Sequence, residues 1–296
     1  MSEYRFVSRE PIEKGWSGDR KYRVTDAEGR VYLYRVSPIA KREKRERGFA
    51  QMREIAALGV PMSVPYEFGV SEEGVWLLQE YIDGEDAETV LPTLSVTEQY
   101  RYGTEAGQIL RRIHTLAAPK ELPAWEERYG KKIDRKLAAY EACPLKYESD
   151  TAFLTFIASH RDRIKGRPQT YQHGDYHVGN MMIDRSGALR IIDFDRDDYG
   201  DPWEEFNRIV WCVGAPDAPA YVASGMIDGY FGGDVPNEFW ELLALYVSVN
   251  TLSSLPWAIP FGEGEIETMR RQAREVLLWY DGMRCIVPRW YARPVE

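Results

Sequence analysis

Over the first eighty residues, apolar and polar positions alternate in short runs. Tyr22 to Thr25 and Arg30 to Val36 are rich in β-branched and aromatic residues. They flank Asp26-Ala27-Glu28-Gly29, a turn-forming tetrad, which predicts a hairpin. A very polar stretch from Ile39 to Leu58 predicts a helix stopped by Gly59 and Pro61, and Val75 to Ile82 predicts a strand running to Asp83-Gly84. Beyond Gly84 the period lengthens. Ser95 and Glu98 have capping-box spacing, and Ala106, Ile109, Leu110 and Ile113 fall on one helical face. Ile133, Leu137 and Tyr140 mark a second helix, Thr151 to Ile164 a third. Two short strands then interrupt, Asn180 to Asp184 and Ala188 to Phe194, joined by Arg185-Ser186-Gly187. Asp201 as N-cap with Pro202 in the first turn predicts another helix, followed by helical patterns near 218–231, 237–255 and 265–283.

This pattern predicts an α+β chain with a small β-rich lobe, residues 1–80, and a larger, mainly helical lobe, residues 81–296, joined by a connector near 79–84. The 296 residues suffice for two hydrophobic cores. The formal charge is −9, which argues against a general binder of the nucleic-acid backbone. Residues 1–80 carry 14 basic and 13 acidic side chains, so the excess acid lies in the helical part. That distribution favours cationic partners, or else it reflects acidic faces that keep the chain soluble. Cys143, Cys212 and Cys285 lack metal-site spacing and read as small core residues of a reducing compartment. No apolar leader opens the chain. The apolar stretch Phe239 to Phe261 contains Glu241, Asn250 and Pro256 and reads as a buried helix, so the expectation is a cytoplasmic protein without membrane or nucleic-acid partners.

The chemistry concentrates between Tyr171 and Glu205. Asp175 is followed five positions later by Asn180, then a strand, a turn, a second strand, and Asp193 at its end. Phosphoryl transfer needs a carboxylate to orient the attacking hydroxyl and oxygen ligands that hold Mg²⁺ against nucleotide phosphates. One Asp and one Asn suffice for the latter, because Mg²⁺ prefers hard oxygen donors and keeps several waters. A hairpin puts Asn180 and Asp193 at the same end of adjacent strands.

The set His173-Gly174-Asp175, Asn180, Ile192-Asp193-Phe194-Asp195 and Gly200-Asp201-Pro202 resembles the aminoglycoside phosphotransferase family of small-molecule kinases. Protein kinases likewise place an Asn five residues after the catalytic Asp and then an Asp-Phe-Gly Asp. The resemblance implies a protein-kinase-like two-lobe fold, Asp175 as catalytic base or orienter, and Asn180 and Asp193 as Mg²⁺ ligands. It leaves Asp195 either assisting the metal or capping the following loop, and gives His173 and His177 loop-positioning roles.

By the same resemblance, Arg35 in Tyr32-Leu33-Tyr34-Arg35-Val36 takes the place of the phosphate-binding strand Lys, as in the macrolide branch, unless it is a strand Arg facing solvent. Arg keeps that role through two parallel donors. The acid expected to pair with it is Glu46, although the family spacing lands near Gly48. Gly15-Trp16-Ser17-Gly18 either covers the phosphates, with Ser17 as a donor, or merely connects two strands. The Glu80 carbonyl and Ile82 amide would read the base of ATP or GTP. Asp197, Asp198, Glu204, Glu205 and Glu263 are candidates for binding a small cationic hydroxylated acceptor, aminoglycoside-like antibiotics first. Choline-, homoserine-, sugar- or macrolide-like acceptors, or a nucleotide-binding pseudokinase, are the alternatives.

Overall fold

The computed structural model describes residues 6–13, 18–195, 198–214, 218 and 220–295. The chain forms two compact units. One comprises residues up to Ala87 together with Asn180–Asp197, the other Glu88–Gly179 with Asp198 to the end. The grouping therefore differs from the expected division near residue 80: the Asn180–Asp193 hairpin belongs with the small sheet, not with the helices.

In the first unit, β1 (Phe6–Pro11), β2 (Arg20–Asp26), β3 (Val31–Ser37), β4 (Pro65–Ser71) and β5 (Gly74–Glu80) make an antiparallel sheet of order β1-β2-β3-β5-β4. The β2–β3 turn closes as the sequence predicts. Asp26 accepts from the amides of Glu28 (3.1 Å) and Arg30 (2.9 Å), and Gly29 takes φ 80°, which only glycine adopts without strain. Helix α1 (Arg42–Ala57) buries only Met52 and Ile55, which leaves most of its charged side chains exposed. A second sheet pairs β6 (Gly84–Asp86), β8 (Met181–Asp184) and β9 (Leu189–Ile191). Its Ile191 donates to Pro61 O and, with Met62, is fully buried, so the hairpin shares the unit's core.

The second unit holds α3 (Val96–Ile113), α4 (Trp125–Ala142), α5 (Asp150–His160), α6 (Tyr221–Phe231), α7 (Asn237–Ala258) and α8 (Glu263–Trp279); a short α2 (Ala87–Val90) leads in. The Ser95–Glu98 capping box is present. Helices α3 and α6 touch backbone to backbone: a Cβ on Gly103, Gly107, Gly225 or Gly229 would collide with carbonyls of Val222, Met226, Tyr100 and Thr104 respectively. Helix α7 is apolar on nearly every side, and most of it is buried, as a central core helix requires. Strands β7 (Thr170–Gln172) and β10 (Asp198–Gly200) pair as a two-stranded ladder. The helix expected after Pro202 is instead a run of 3₁₀ turns, Glu204–Trp211. Asp201, fully buried, accepts from Trp203 N, from both arms of Arg167 (2.7 and 3.0 Å) and from Tyr246 OH (2.6 Å), so it ties the segment's start to the Arg167 loop and to α7.

Candidate active site

In the first unit, Arg35 lies mid-strand in β3 and is 6% exposed, so it does not face solvent. Its Nε donates to Asp19 Oδ2 at 2.7 Å, its Nη2 contacts Asp195, and its Nη1 lies 3.7 Å from Asp193 Oδ1. Asp19 is shared: Lys41 Nζ lies 2.9 Å from Oδ1, and Arg45 also reaches it. Arg45 further donates to Asp195 Oδ1 (2.6 Å) and Ser37 Oγ (2.9 Å). Three cations and three carboxylates therefore interlock. Burial alone would raise the Asp19 pKa, but the Lys41 hydrogen bond and the two guanidiniums outweigh it and hold the carboxyl at about 2. Asp195, also penalised by burial, is lowered by Arg35 and Arg45, while burial and the Asp195 charge push Asp193 up.

The pairing of Arg35 with Glu46 is corrected by this arrangement. Glu46 is exposed, because the next residue along a helix points about 100° away from Arg45, and it is Arg45 that faces the cluster. Among the described residues, the Asp195 carboxylate bridges two arginines, Arg35 and Arg45. Ser17 and Asp197 lie outside the described residues.

Ile192 N donates to Asn180 O at 3.0 Å, which sets Asn180 beside the residue preceding Asp193. Asp193 has φ 65°, the left-handed region that a non-glycine residue occupies only under constraint, and Phe194 beside it is buried. One carboxylate and one carboxamide, both hard oxygen donors, make a set that fits Mg²⁺ bound jointly with phosphates. At the end of β5, Ser63 Oγ donates to the Glu80 carbonyl (2.7 Å), and the Glu80 side chain pairs with Arg190 (2.5 Å). The carbonyl keeps its second lone pair for a ligand. Ile82 is buried, and among the described residues no hydrogen bond uses its amide.

In the second unit, β7 delivers Asp175 on a loop made rigid from within. Gly174 has φ 81°. Glu205, 2% exposed, accepts from Gly174 N (2.6 Å) and His173 N (2.7 Å), and His114 Nε2 lies 3.4 Å from it. His173 Nδ1 takes the Asp175 amide (3.3 Å), and Tyr176 OH donates to Ala106 O (2.7 Å). The Asp175 carboxylate lies 3.2 Å from Arg208 Nε and 3.6 Å from His177 Nε2.

The proposed acceptor carboxylates fare differently. Glu205 is an anchor for backbone amides. Glu204, 8% exposed, pairs with Lys132 (3.0 Å) and takes Gln172 Nε2 (3.3 Å). Both are directed inward, Glu204 to Lys132 and Gln172 and Glu205 to the loop after β7. Asp198 pairs with Arg128 at 3.0 Å, and Glu263 with Arg270 at 3.5 Å on the open side of α8. All four are engaged by the protein's own groups.

Asp19, Arg45, Arg208 and Lys136 were not found from sequence. A signal existed for two of them: Lys41 and Arg45 are four apart on one helix face, as are Lys132 and Lys136.

A sequence profile of the phosphotransferase enzyme family matches residues 8–239. No match is found among curated proteins. Among solved structures, the chain is similar to a choline/ethanolamine kinase family protein from Mesorhizobium loti (TM-score 0.66, 16% identity, 96% of this chain and 92% of that one). It is also similar to a point mutant of aminoglycoside 2′-phosphotransferase-IIIa solved with GDP (TM-score 0.68, 15% identity, 95% of each chain). A third is amicoumacin kinase hAmiN, solved with AMP-PNP, Ca²⁺ and Ami (TM-score 0.64, 13% identity, 96% and 92%). At such identities the likeness is one of fold, and the small antiparallel sheet unit and the helical unit are those of the kinase-like fold expected.

Proposed function

Since the chain belongs to the phosphotransferase enzyme family and is a phosphotransferase acting on hydroxyl groups, we propose that it moves the γ-phosphoryl group of ATP or GTP to a hydroxyl of a small metabolite. The observation that carries this reading is the β8–β9 ladder, which sets Asn180 against the Asp193 loop five residues after Asp175. In the reaction the acceptor oxygen bonds to the γ-phosphorus while the bond to the β–γ bridging oxygen breaks, and the nucleoside diphosphate leaves with that electron pair. The acceptor's proton passes to the Asp175 carboxylate, which Arg208 holds in place and the Glu205-anchored loop presents. Arg35 and Arg45, engaged by Asp19, Asp195 and Ser37, order the segment that carries Asp193. Mg²⁺ bound at Asn180 and Asp193 would neutralise phosphate charge. A cytoplasmic, reducing setting goes with this reading, since the three cysteines are free thiols.

An aminoglycoside-like acceptor draws support from relatives whose names carry that substrate. On this chain, though, Glu204 and Glu205 are engaged internally, and Asp198 and Glu263 have arginine partners. A small hydroxylated metabolite is the better-supported acceptor. The intact Asp175, Asn180 and Asp193 set disfavours a pseudokinase.

Coupled ADP release across aminoglycosides, macrolides, choline, amino alcohols and polyols tests the reading. Asp175→Asn should keep nucleotide affinity and lower kcat by about a thousandfold. A near-normal rate would remove Asp175 from the mechanism. Asp193→Ala should weaken nucleotide binding in the presence of magnesium and leave it unaltered in EDTA.

A further inference from the structure

Three residues of the 3₁₀ run Glu204–Trp211 follow the loop of Asp175 step by step. Glu205 accepts from His173 N (2.7 Å) and Gly174 N (2.6 Å), and Arg208 Nε lies 3.2 Å from Asp175 Oδ1. The Trp211 ring then stands 6.3 Å, centroid to centroid, from that of His177. These positions are spaced by three, and three residues per turn keep them on one edge. An α-helix would turn Trp211 about 120° away from Glu205 and break the series. His177 is fixed in its turn. Its Nδ1 accepts from Gly179 N (3.1 Å), which in the neutral ring puts the proton on Nε2, 3.6 Å from Asp175 Oδ1. A Cβ on Gly179 would come within 2.8 Å of His177 Cε1, so the glycine makes room for the ring.

Exposure rises along this edge, from 2% at Glu205 to 39% at Trp211. A tryptophan that only filled the core would be covered, as Trp125, Trp240, Trp279 and Trp290 are. Trp257, the other exposed tryptophan among the described residues, packs on Phe261 far along the chain from this loop. The edge thus begins as an anchor and ends as an open aromatic face, one side chain away from the carboxylate that takes the acceptor's proton.

We propose that Trp211 is a specificity-determining residue of the acceptor site, and that the acceptor is a neutral ring polyol, a pyranose or cyclitol, whose C–H face stacks on the indole while one ring hydroxyl reaches Asp175. The inference rests on the kinase reading and names its substrate class. An indole offers an apolar face and one N–H donor, which suits a ring with C–H bonds on its face and hydroxyls at its rim. Arg208, one turn back on the same edge, sets the charge preference. Its guanidinium is already matched by Asp175. A cation over the indole would meet a like charge, and an anion would compete with Asp175 for its partner. An uncharged acceptor avoids both costs. An open-chain polyol carries the same hydroxyls but no rigid face, and it gives up more rotational freedom on binding.

The test sets glucose and myo-inositol against open-chain sorbitol, with choline and gluconate as charged probes. In coupled ADP release, wild type should favour a ring polyol over sorbitol by about tenfold in kcat/KM. In Trp211→Ala that preference should vanish through a rise in acceptor KM while the KM for ATP holds. Trp211→Phe, which keeps an aromatic face, should restore most of it. Titration calorimetry with glucose and with myo-inositol reads binding without turnover: measurable affinity in wild type and Trp211→Phe, lost in Trp211→Ala while the thermal transition is kept. A preference for sorbitol, choline or gluconate, a ring preference that Trp211→Ala leaves intact, or ring polyols that bind neither protein or both alike overturns the inference. The kinase reading fails separately, if ADP release is insensitive to Asp175→Asn whatever the acceptor.

Discussion

Two charged corners of this molecule are built on different principles. In the sheet unit, Lys41, Arg35 and Arg45 meet Asp19, Asp193 and Asp195, three cations against three carboxylates, with Arg35 touching all three and Arg45 two of them. In the helical unit, Glu205 is spent on backbone amides, Glu204 on Lys132 and Asp175 on Arg208, and Lys136 remains. Where protein charges cancel, the network works as a frame that orders strand, loop and helix before any ligand arrives. Desolvation penalises an unmatched charge far more than it weakens a matched pair. The first corner should therefore respond to mutation by losing stability, and Lys136 by gaining it.

Breaking the balanced corner gives the largest expected effect. Arg35→Met leaves Asp19 and Asp195 short of a counter-charge and should lower unfolding free energy by about 3 kcal/mol, read by urea denaturation, with nucleotide affinity falling as well. A loss below about 1 kcal/mol would mean the cluster is loosely solvated and the contrast overstated. Next comes Glu205→Gln, which keeps the shape but gives up charge-assisted acceptance from two amides. About 2 kcal/mol of stability should be lost, and kcat should fall more than the KM for nucleotide, because the loop that carries Asp175 loosens. Equal effects on both constants would deny Glu205 its positioning role.

These cases also explain what could be read from the sequence. The nearness of Asn180 to the Asp193 segment was legible because it is local: one hairpin sets it, and the Ile192–Asn180 bond is the ladder that the two apolar runs imply. The frame around Arg35 was not, since Asp19, Arg45 and Asp195 arrive from three separate segments, Asp195 from 160 residues beyond Arg35. Glu204 and Glu205 were misread because nothing in a sequence tells a carboxylate facing backbone amides from one facing an amine. Strand β4 went unnoticed for a simpler reason: Pro65–Ser71 is broken by Pro65 and Gly69, composition that reads as loop. Gly69 is there because the Trp76 ring occupies the space of a side chain.

Acid should sharpen the contrast from the sheet side. The Asp19 carboxyl is held at about 2 against an ordinary 3.8, so its contribution is fully present above about pH 4 and is lost as pH falls through about 2. Roughly 2 kcal/mol should disappear across that window. Urea midpoints measured between pH 5 and pH 2 should fall steeply for wild type and more shallowly for Asp19→Asn. Parallel curves would show that Asp19 is not held by its three cations in solution.

The smallest effect has the opposite sign. Burial first, and then Lys132, lower the Lys136 pKa from 10.5 to about 8, which means that folding disfavours the ammonium. The penalty is complete below about pH 8 and vanishes as pH rises past 10.5. Lys136→Met should therefore stabilise the protein at pH 7, by about 1 kcal/mol once partial exposure is discounted, or about 2 °C in Tm. The gain should fade toward pH 10. Calorimetric scans of both proteins at pH 7 and pH 10 decide it: a variant no more stable than wild type at pH 7 would return Lys136 to solvent and leave both corners balanced.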